Sequence, residues 1–264
     1  DLQTRKFRYA SAGQPPIVHL DVSGQPRLLS SGGLAIGWMP EADYQVETVV
    51  LSPGDRLWFY SDGVPEAMNE QDALFGKNGI AEGARKGLIV GIASTISPKG
   101  MREMGKRLAE KGLIPLDIPL CRGEPFAEAG TLLIIGGGDK AAFERCKRAF
   151  QTFATSIYHL GDVGAGQVGK MVNNLILWAC ISANYEGFKI GEKLGVDKEV
   201  MRQMLLDSSA QNWAMGSGAA DRPMPWAEKD MMIVLEEADA ARISLPLCGS
   251  IKEVIKGIKV ERGE

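Results

Sequence analysis

The sequence predicts an α/β plus all-α chain: a β-rich front, a parallel sheet with helices packed on it, and a C-terminal helical bundle entered by one long helix. Three observations carry this reading. Up to about residue 72, short runs of β-branched and aromatic residues are punctuated by Gly and Pro. From about 73 to 160, apolar runs alternate with amphipathic stretches, and beyond 161 only helical periodicity remains. The expected segments are therefore 1–72, 73–160 and 161–264.

In the front, "KFRYASA", "PIVHLDV", "YQVETVVL" and "DRLWFYSDG" read as strands between the turn stretches "AGQPP", "VSGQP" and "LSPGD". "LIVGIAS" then reads as a buried strand, and "SPKGMREMGKRLAEKG" as a helix with Pro98 at its start and Gly112 past its end. "LIPLDIPL" and "TLLIIGGG" are further strands. "DKAAFERCKRAFQTF" is a helix with Asp139 as N-cap, and "TSIYHLG" closes the segment. Gln167 to about Leu194 reads as one long helix, followed by helices in "DKEVMRQMLLDS", "PWAEKDMMIVLEEADAAR" and "LCGSIKEVIKGIK".

Composition narrows the function classes. A net charge of -3 and 24% charged residues give no excess positive charge for a nucleic-acid backbone. The most apolar run, "MVNNLILWACISA", is shorter than the ~20 residues a membrane span needs and holds two asparagines, so no membrane partner is expected. Cys121, Cys146, Cys180 and Cys248 lack metal or disulfide spacing, which points to reduced thiols and the cytoplasm. The N-terminal Asp1, with neither Met nor an apolar leader, suggests a segment of something longer.

"DVGAGQVGKMVNN" contains G-x-G-x-x-G at Gly164, Gly166 and Gly169. A dinucleotide turn would need a second strand ending in an acid about 20 residues on, but Glu186, near that distance, falls inside a helical stretch. The alternative is a helix start whose functional residue follows. Lys170, Asn173 and Asn174 then share one face, and their neighbours, from Met171 to Ile181, are apolar nearly all round, the pattern of a buried helix. A buried lysine shifts toward the neutral range where it exchanges protons; an interfacial lysine reaching for water is the other reading. Gly136, Gly137 and Gly138 offer either amides for an anion or a tight structural turn. His19 and His159 read as structural, and Trp213 as either a core residue or a cover over a cleft.

"GAGQVGKMVNN" resembles the G-x-G-x-x-x-K-x-x-N-N segment of the β-hydroxyacid dehydrogenases, the family of 3-hydroxyisobutyrate dehydrogenase. "LFGKNGI", "STISP", "GTLLIIGGG", "EGFKIGEKLGVD" and "EKDMMI" extend the likeness from about Leu74 to Glu264. The resemblance implies a partial Rossmann-like sheet, NAD or NADP as cofactor, a small hydroxy acid as substrate, and a homo-oligomer built through the helical segment. It makes Lys170 the general acid/base, has Asn174, with Asn173 beside it, orient the substrate, and puts Lys229 near the cofactor. Where many members have "DAPVSGG", this chain has "DIPLCRGEP". Cys121, Arg122 and Gly123 would therefore receive the substrate carboxylate, Arg122 either as a bidentate fork or as a surface arginine. Ser94 and Thr95 would line the same place or serve the start of the following helix.

The family's N-terminal βαβ unit, with its glycine fingerprint, is expected to be missing, leaving the cofactor module incomplete and turnover impaired. In its place "VVLSPGDRLWFYSDGVPEAMNE" resembles the SpoIIE-type serine phosphatases, whose cations are magnesium or manganese. Asp62 matches a metal-binding aspartate there, though the other motifs of that two-metal site are absent and Asp62–Gly63 equally makes a plain turn. The chain thus reads as a chimera joined between 69 and 79. A phosphatase fragment and a non-catalytic fusion are the competing functions.

Overall fold

The computed structural model describes residues 5–9, 17–23, 25–29, 46–53, 55–58 and 84–263. Asp62, Gly63 and the 69–79 junction lie outside them. The chain divides into two compact units, Asp1–Val168 and Gly169–Glu264.

In the front, β1 (Lys6–Tyr9) pairs antiparallel with β4 (Glu47–Val50). β2 (Ile17–Leu20) lies between β3 (Pro26–Leu29) and β5 (Arg56–Trp58), antiparallel to both. β3 is a strand that sequence reasoning did not anticipate; its proline opens the strand, where a missing N–H interrupts the ladder least. His19 is buried against Asp55, Nε2 to Oδ2 at 2.9 Å, as a structural histidine should be.

The main sheet runs in the order β10-β9-β7-β6. β6 (Ile89–Ile92) is parallel to β7 (Ile114–Asp117), and β9 (Leu132–Gly138) is parallel to β10 (Ala154–Gly161). The two parallel pairs meet antiparallel, with Asp117 opposite Gly137. Strand-helix alternation implied the parallel pairs but not this join. The reason is local: β8 (Leu120–Cys121) turns back along β9, and only the five-residue helix α2 (Glu124–Glu128) separates them, where a parallel return uses a full crossover helix.

Helix α1 (Pro98–Glu110) starts at Ser97, whose hydroxyl accepts from the Gly100 N–H, and ends before Gly112 at φ 76°. The cap is Ser97 itself, so Ser94 and Thr95 do not fill that role. Met101, Met104 and Leu108 bury against Val90, Ile92 and Leu113. Helix α3 (Lys140–Phe150) is capped by Asp139, which accepts from Ala142 N–H at 2.7 Å, and seats Phe143, Cys146 and Phe150 on Leu116 and Ile134.

Helix α4 (Ala165–Lys193) begins at the end of the first unit and supplies the first helix of the second. There follow α5 (Lys198–Leu206), α6 (Trp213–Gly216), α7 (Ala227–Ala241) and α8 (Pro246–Arg262). Ile181, Met231, Val234, Ile251, Ile255 and Ile258 centre their core. Each such aliphatic side chain contributes about 1.5–3 kcal/mol when fully buried. The long helix is not buried all round, contrary to its composition: Val172, Ile176 and Ile190 are 45%, 58% and 62% exposed. The other helices cover only one side of it. Among the described residues no helix is long and apolar enough to cross a membrane.

Candidate active site

The glycines of the quoted motif belong to a helix start. Gly164, at φ 94°, precedes α4, and Glu186 lies inside that helix, so the strand that a dinucleotide turn requires is absent there. Gly166 permits contact with the sheet, since a Cβ on it would stand 2.5 Å from the Ile135 carbonyl. Gly136, Gly137 and Gly138 are part of β9. A Cβ on Gly136 would meet Phe143 at 2.0 Å, so this glycine is bare to admit a phenyl ring and not an anion. His159 fits the same structural reading: its Nε2 lies 2.8 Å from the Gly138 carbonyl, and its ring packs on Phe143.

Lys170, Asn173 and Asn174 occupy the helix face their spacing assigns. Only Asn174 is fully buried, at 5% exposed; Lys170 and Asn173 are half-buried. Asn173 Nδ2 donates to Asn174 Oδ1 at 3.0 Å, and Asn174 Nδ2 donates to Asp230 Oδ2 at 2.8 Å. Trp178 Nε1 donates to the same oxygen at 3.1 Å. Burial of Asp230 pushes its carboxyl above the usual range, and the Trp178 hydrogen bond, the charges of Lys170 and Lys229, and the Asn174 hydrogen bond oppose that rise. Asp230 is thus a buried carboxylate held by two neutral donors.

Asp230 is the residue sequence reasoning missed. It stands beside Lys229 in "EKD", in the first turn of α7, where an acid suits the helix dipole. The signal was its register: Ala227, Val234 and Ala238 are buried at spacings of three, four and eight, so Asp230 lies on the buried face of α7. Lys229 places its Nζ 5.9 Å from the centre of the half-exposed Trp226 ring, a cation on an aromatic face.

In the first unit, Ser94 and Thr95 are half-buried after β6, and the Ser94 carbonyl accepts from Gln167 Nε2 at 2.7 Å. Cys121 is buried at the end of β8, and Gly123, at φ 82°, precedes α2. Arg122 holds φ 90°, unusual for a side-chain-bearing residue. Its Nη1 donates to the Thr131 carbonyl at 2.6 Å and to Thr155 Oγ1 at 3.1 Å, and its Nη2 to Ser156 Oγ at 2.9 Å. The guanidinium therefore clasps the starts of β9 and β10, and these donors are spent inside the protein, unlike a fork presented to a carboxylate. Trp213 is 44% exposed at the first position of α6, which sets aside the core reading of the two the sequence offered.

A nicotinamide dinucleotide needs bare backbone amides for its pyrophosphate. Gly136, Gly137 and Gly138 lie within β9, and the Gly164 N–H donates to Asp117 Oδ1, so these glycines are engaged inside the protein. Among the described residues no group of three or more His, Cys, Asp or Glu is placed to hold a metal ion.

Three family models match the chain, the first two overlapping over residues 62–108. The family model of stage II sporulation protein E matches residues 1–108, and that of the NAD binding domain of 6-phosphogluconate dehydrogenase matches 62–161. The model for the NAD-binding domain of NADP-dependent 3-hydroxyisobutyrate dehydrogenase matches 164–264. The chain is 30% identical to 2-(hydroxymethyl)glutarate dehydrogenase of Eubacterium barkeri, over 74% of this chain and 68% of that one. It is 31% identical to 2-hydroxy-3-oxopropionate reductase of Escherichia coli over 254 residues, 92% of this chain and 86% of that one. That alignment reaches well ahead of Leu74, where the resemblance was expected to begin. Among solved structures, 3-hydroxyisobutyrate dehydrogenase from Salmonella typhimurium superposes with a TM-score of 0.62 at 26% identity, covering 70% of this chain and 67% of that one. With these matches spanning the sheet and the lysine-bearing helix, the chain belongs to the 3-hydroxyisobutyrate dehydrogenase family of NAD-dependent β-hydroxyacid dehydrogenases.

Proposed function

We propose that the chain oxidises a small β-hydroxy acid, or reduces the matching oxo acid, with NAD or NADP, and that Lys170 moves the hydroxyl proton. The observation that carries this is the α4 face that Lys170 shares with Asn173 and Asn174, where Asn174 and Trp178 donate to the buried Asp230 carboxylate. The names of the relatives support the substrate class, since 3-hydroxyisobutyrate, 2-(hydroxymethyl)glutarate and 2-hydroxy-3-oxopropionate are all small acids carrying a hydroxyl near a carboxylate. In the oxidative direction the neutral amine accepts the hydroxyl proton, and in reduction the ammonium returns it. Asn174 and Trp178 hold the Asp230 carboxylate in place beneath this face. A nicotinamide cofactor supplies the hydride acceptor when bound. We assign Lys229 to the cofactor side, Asn174 and Asn173 to substrate orientation, and Ser94, Thr95, Cys121 and Gly123 to substrate contact.

The second unit also carries exposed Val172, Ile176 and Ile190 on one side of α4, with Leu194 just past its end, which supports a homo-oligomer built through this unit. Cys121, Cys146, Cys180 and Cys248 form no disulfide, in keeping with the cytoplasm.

The test is steady-state oxidation of a panel of small β-hydroxy acids with NAD+ and NADP+, alongside fluorescence titration of NADH and NADPH. Saturable cofactor binding and turnover of at least one panel member are expected; absence of both rejects the proposal. The sporulation-protein match over residues 1–108 favours a second reading, a chimera whose front derives from a metal-dependent serine phosphatase and which lacks the family's own first βαβ unit. Manganese-dependent phosphatase activity lost in Asp62→Ala supports that reading, and its absence leaves the front without catalysis.

A further inference from the structure

We propose that Asp117, acting with Gln167, is a positioning residue for the lysine-bearing helix; the inference deepens the dehydrogenase reading and rests on it for the role of Lys170. A helix begins with N–H groups that have no partner within it. The start of α4 cannot satisfy them from its own side chains. Gly164, Ala165 and Gly166 offer none, and the Gln167 amide is turned away, donating to the Ser94 carbonyl at 2.7 Å and accepting from the Ile96 N–H at 3.2 Å. Asp117, 0% exposed at the end of β7, fills the need: its Oδ1 accepts from Gly164 N–H at 2.9 Å and its Oδ2 from Gln167 N–H at 2.9 Å.

Those are the two amides that a capping box serves with two side chains of the helix itself. Here one carboxylate from the sheet serves both, and a negative group suits that end of the dipole. The approach is so close that a Cβ on Gly166 would lie 2.7 Å from Asp117 Oδ2, and one on Gly137 would lie 2.6 Å from Oδ1. Gly137 and Gly166 are therefore bare for a carboxylate of this chain, not for a phosphate. Helices α1, α3, α5 and α6 carry their caps in sequence, at Ser97, Asp139, Asp197 and Asn212, so each depends on its own loop. Helix α4 depends on the sheet instead. Lys170 follows Gln167 by three residues on the same side of the helix, so whatever fixes Gln167 fixes the base of the lysine. Through Gln167 the same pair also fixes the Ser94–Ile96 loop.

The experiment compares wild type with Asp117→Asn and Gln167→Ala by amide exchange, turnover, and reductive methylation of Lys170 relative to the exposed Lys193 on the same helix. Asp117→Asn should speed exchange at residues 164–170 by about ten- to hundredfold, with α3 unchanged. In both variants kcat should fall about tenfold or more with KM within about twofold, and the Lys170 to Lys193 methylation ratio should move by about threefold or more. Faster exchange with kcat and methylation ratio at wild-type values makes Asp117 a structural cap only and overturns the proposal. If the wild type turns over no hydroxy acid while the methylation ratio still responds, the dehydrogenase reading fails and the positioning inference stands. If Asp117→Asn does not fold, Gln167→Ala decides: a wild-type methylation ratio there overturns the proposal.

Discussion

Replacing Asn174 by Ala removes one of the two donors, with Trp178, that hold the buried Asp230 carboxylate. Asn174 is 5% exposed and Asp230 6%, and their bond is 2.8 Å long, so water does not readily substitute. Hydrogen bonds to charged groups contribute about 1.5–3 kcal/mol, against about 1 kcal/mol for neutral ones. Asn174→Ala should therefore cost about 2 kcal/mol at neutral pH. In an Asp230→Asn background the acceptor is neutral and the same truncation should cost about 1 kcal/mol less, a coupling well above the ~0.3–0.5 kcal/mol seen between independent sites. Urea unfolding of the four proteins, read at a common slope, measures the cycle. Additive effects would refute the claim that the two side chains form one charged network.

The remaining predictions test separate parts of the account. Asp230 has a raised pKa in the fold, chiefly from burial, so its protonated form is the one the fold favours, and the stability linked to that proton is present in acid and lost as pH rises through the shifted value. Asp230→Asn should consequently gain stability relative to wild type at neutral pH, with the difference shrinking on acidification; a gap that widens in acid contradicts the sign. Gly136→Ala should destabilise by about 1–3 kcal/mol, and Phe143→Leu should recover part of the loss, because the clash is with that ring. No recovery would argue against packing as the reason for the glycine. Ile176→Glu, at a site 58% exposed, should change stability by less than about 0.5 kcal/mol yet halve the mass found by light scattering. An unchanged mass removes the oligomer assignment from this face.

How much of this was legible in the sequence follows from which interactions are local. The α1 and α3 boundaries were readable because Pro98, Gly112 and Asp139 act within a turn of their own position. The parallel pairs were readable from alternation, but the antiparallel join of β7 to β9 was not, since a period of two carries no strand direction. The Lys170 face was readable from helical spacing. The partner of Asn174 on α7 is 56 residues away, and only the register of Asp230 among buried apolar positions betrays it. Arg122 shows the opposite case: its type and place suggested an anion fork, while its acceptors, Thr131, Thr155 and Ser156, meet it only in the folded sheet. Asp117 likewise looked like one polar residue in an apolar strand until the helix start closed over it.

Turnover by Lys170→Ala, measured beside its cofactor affinity, bears most directly on the central claim. If the amine transfers the proton, kcat falls by about 10²–10⁴ while NADH or NADPH affinity stays within about twofold. Turnover retained within about tenfold of wild type would contradict it, because no proton-transfer role is left for the amine at that level.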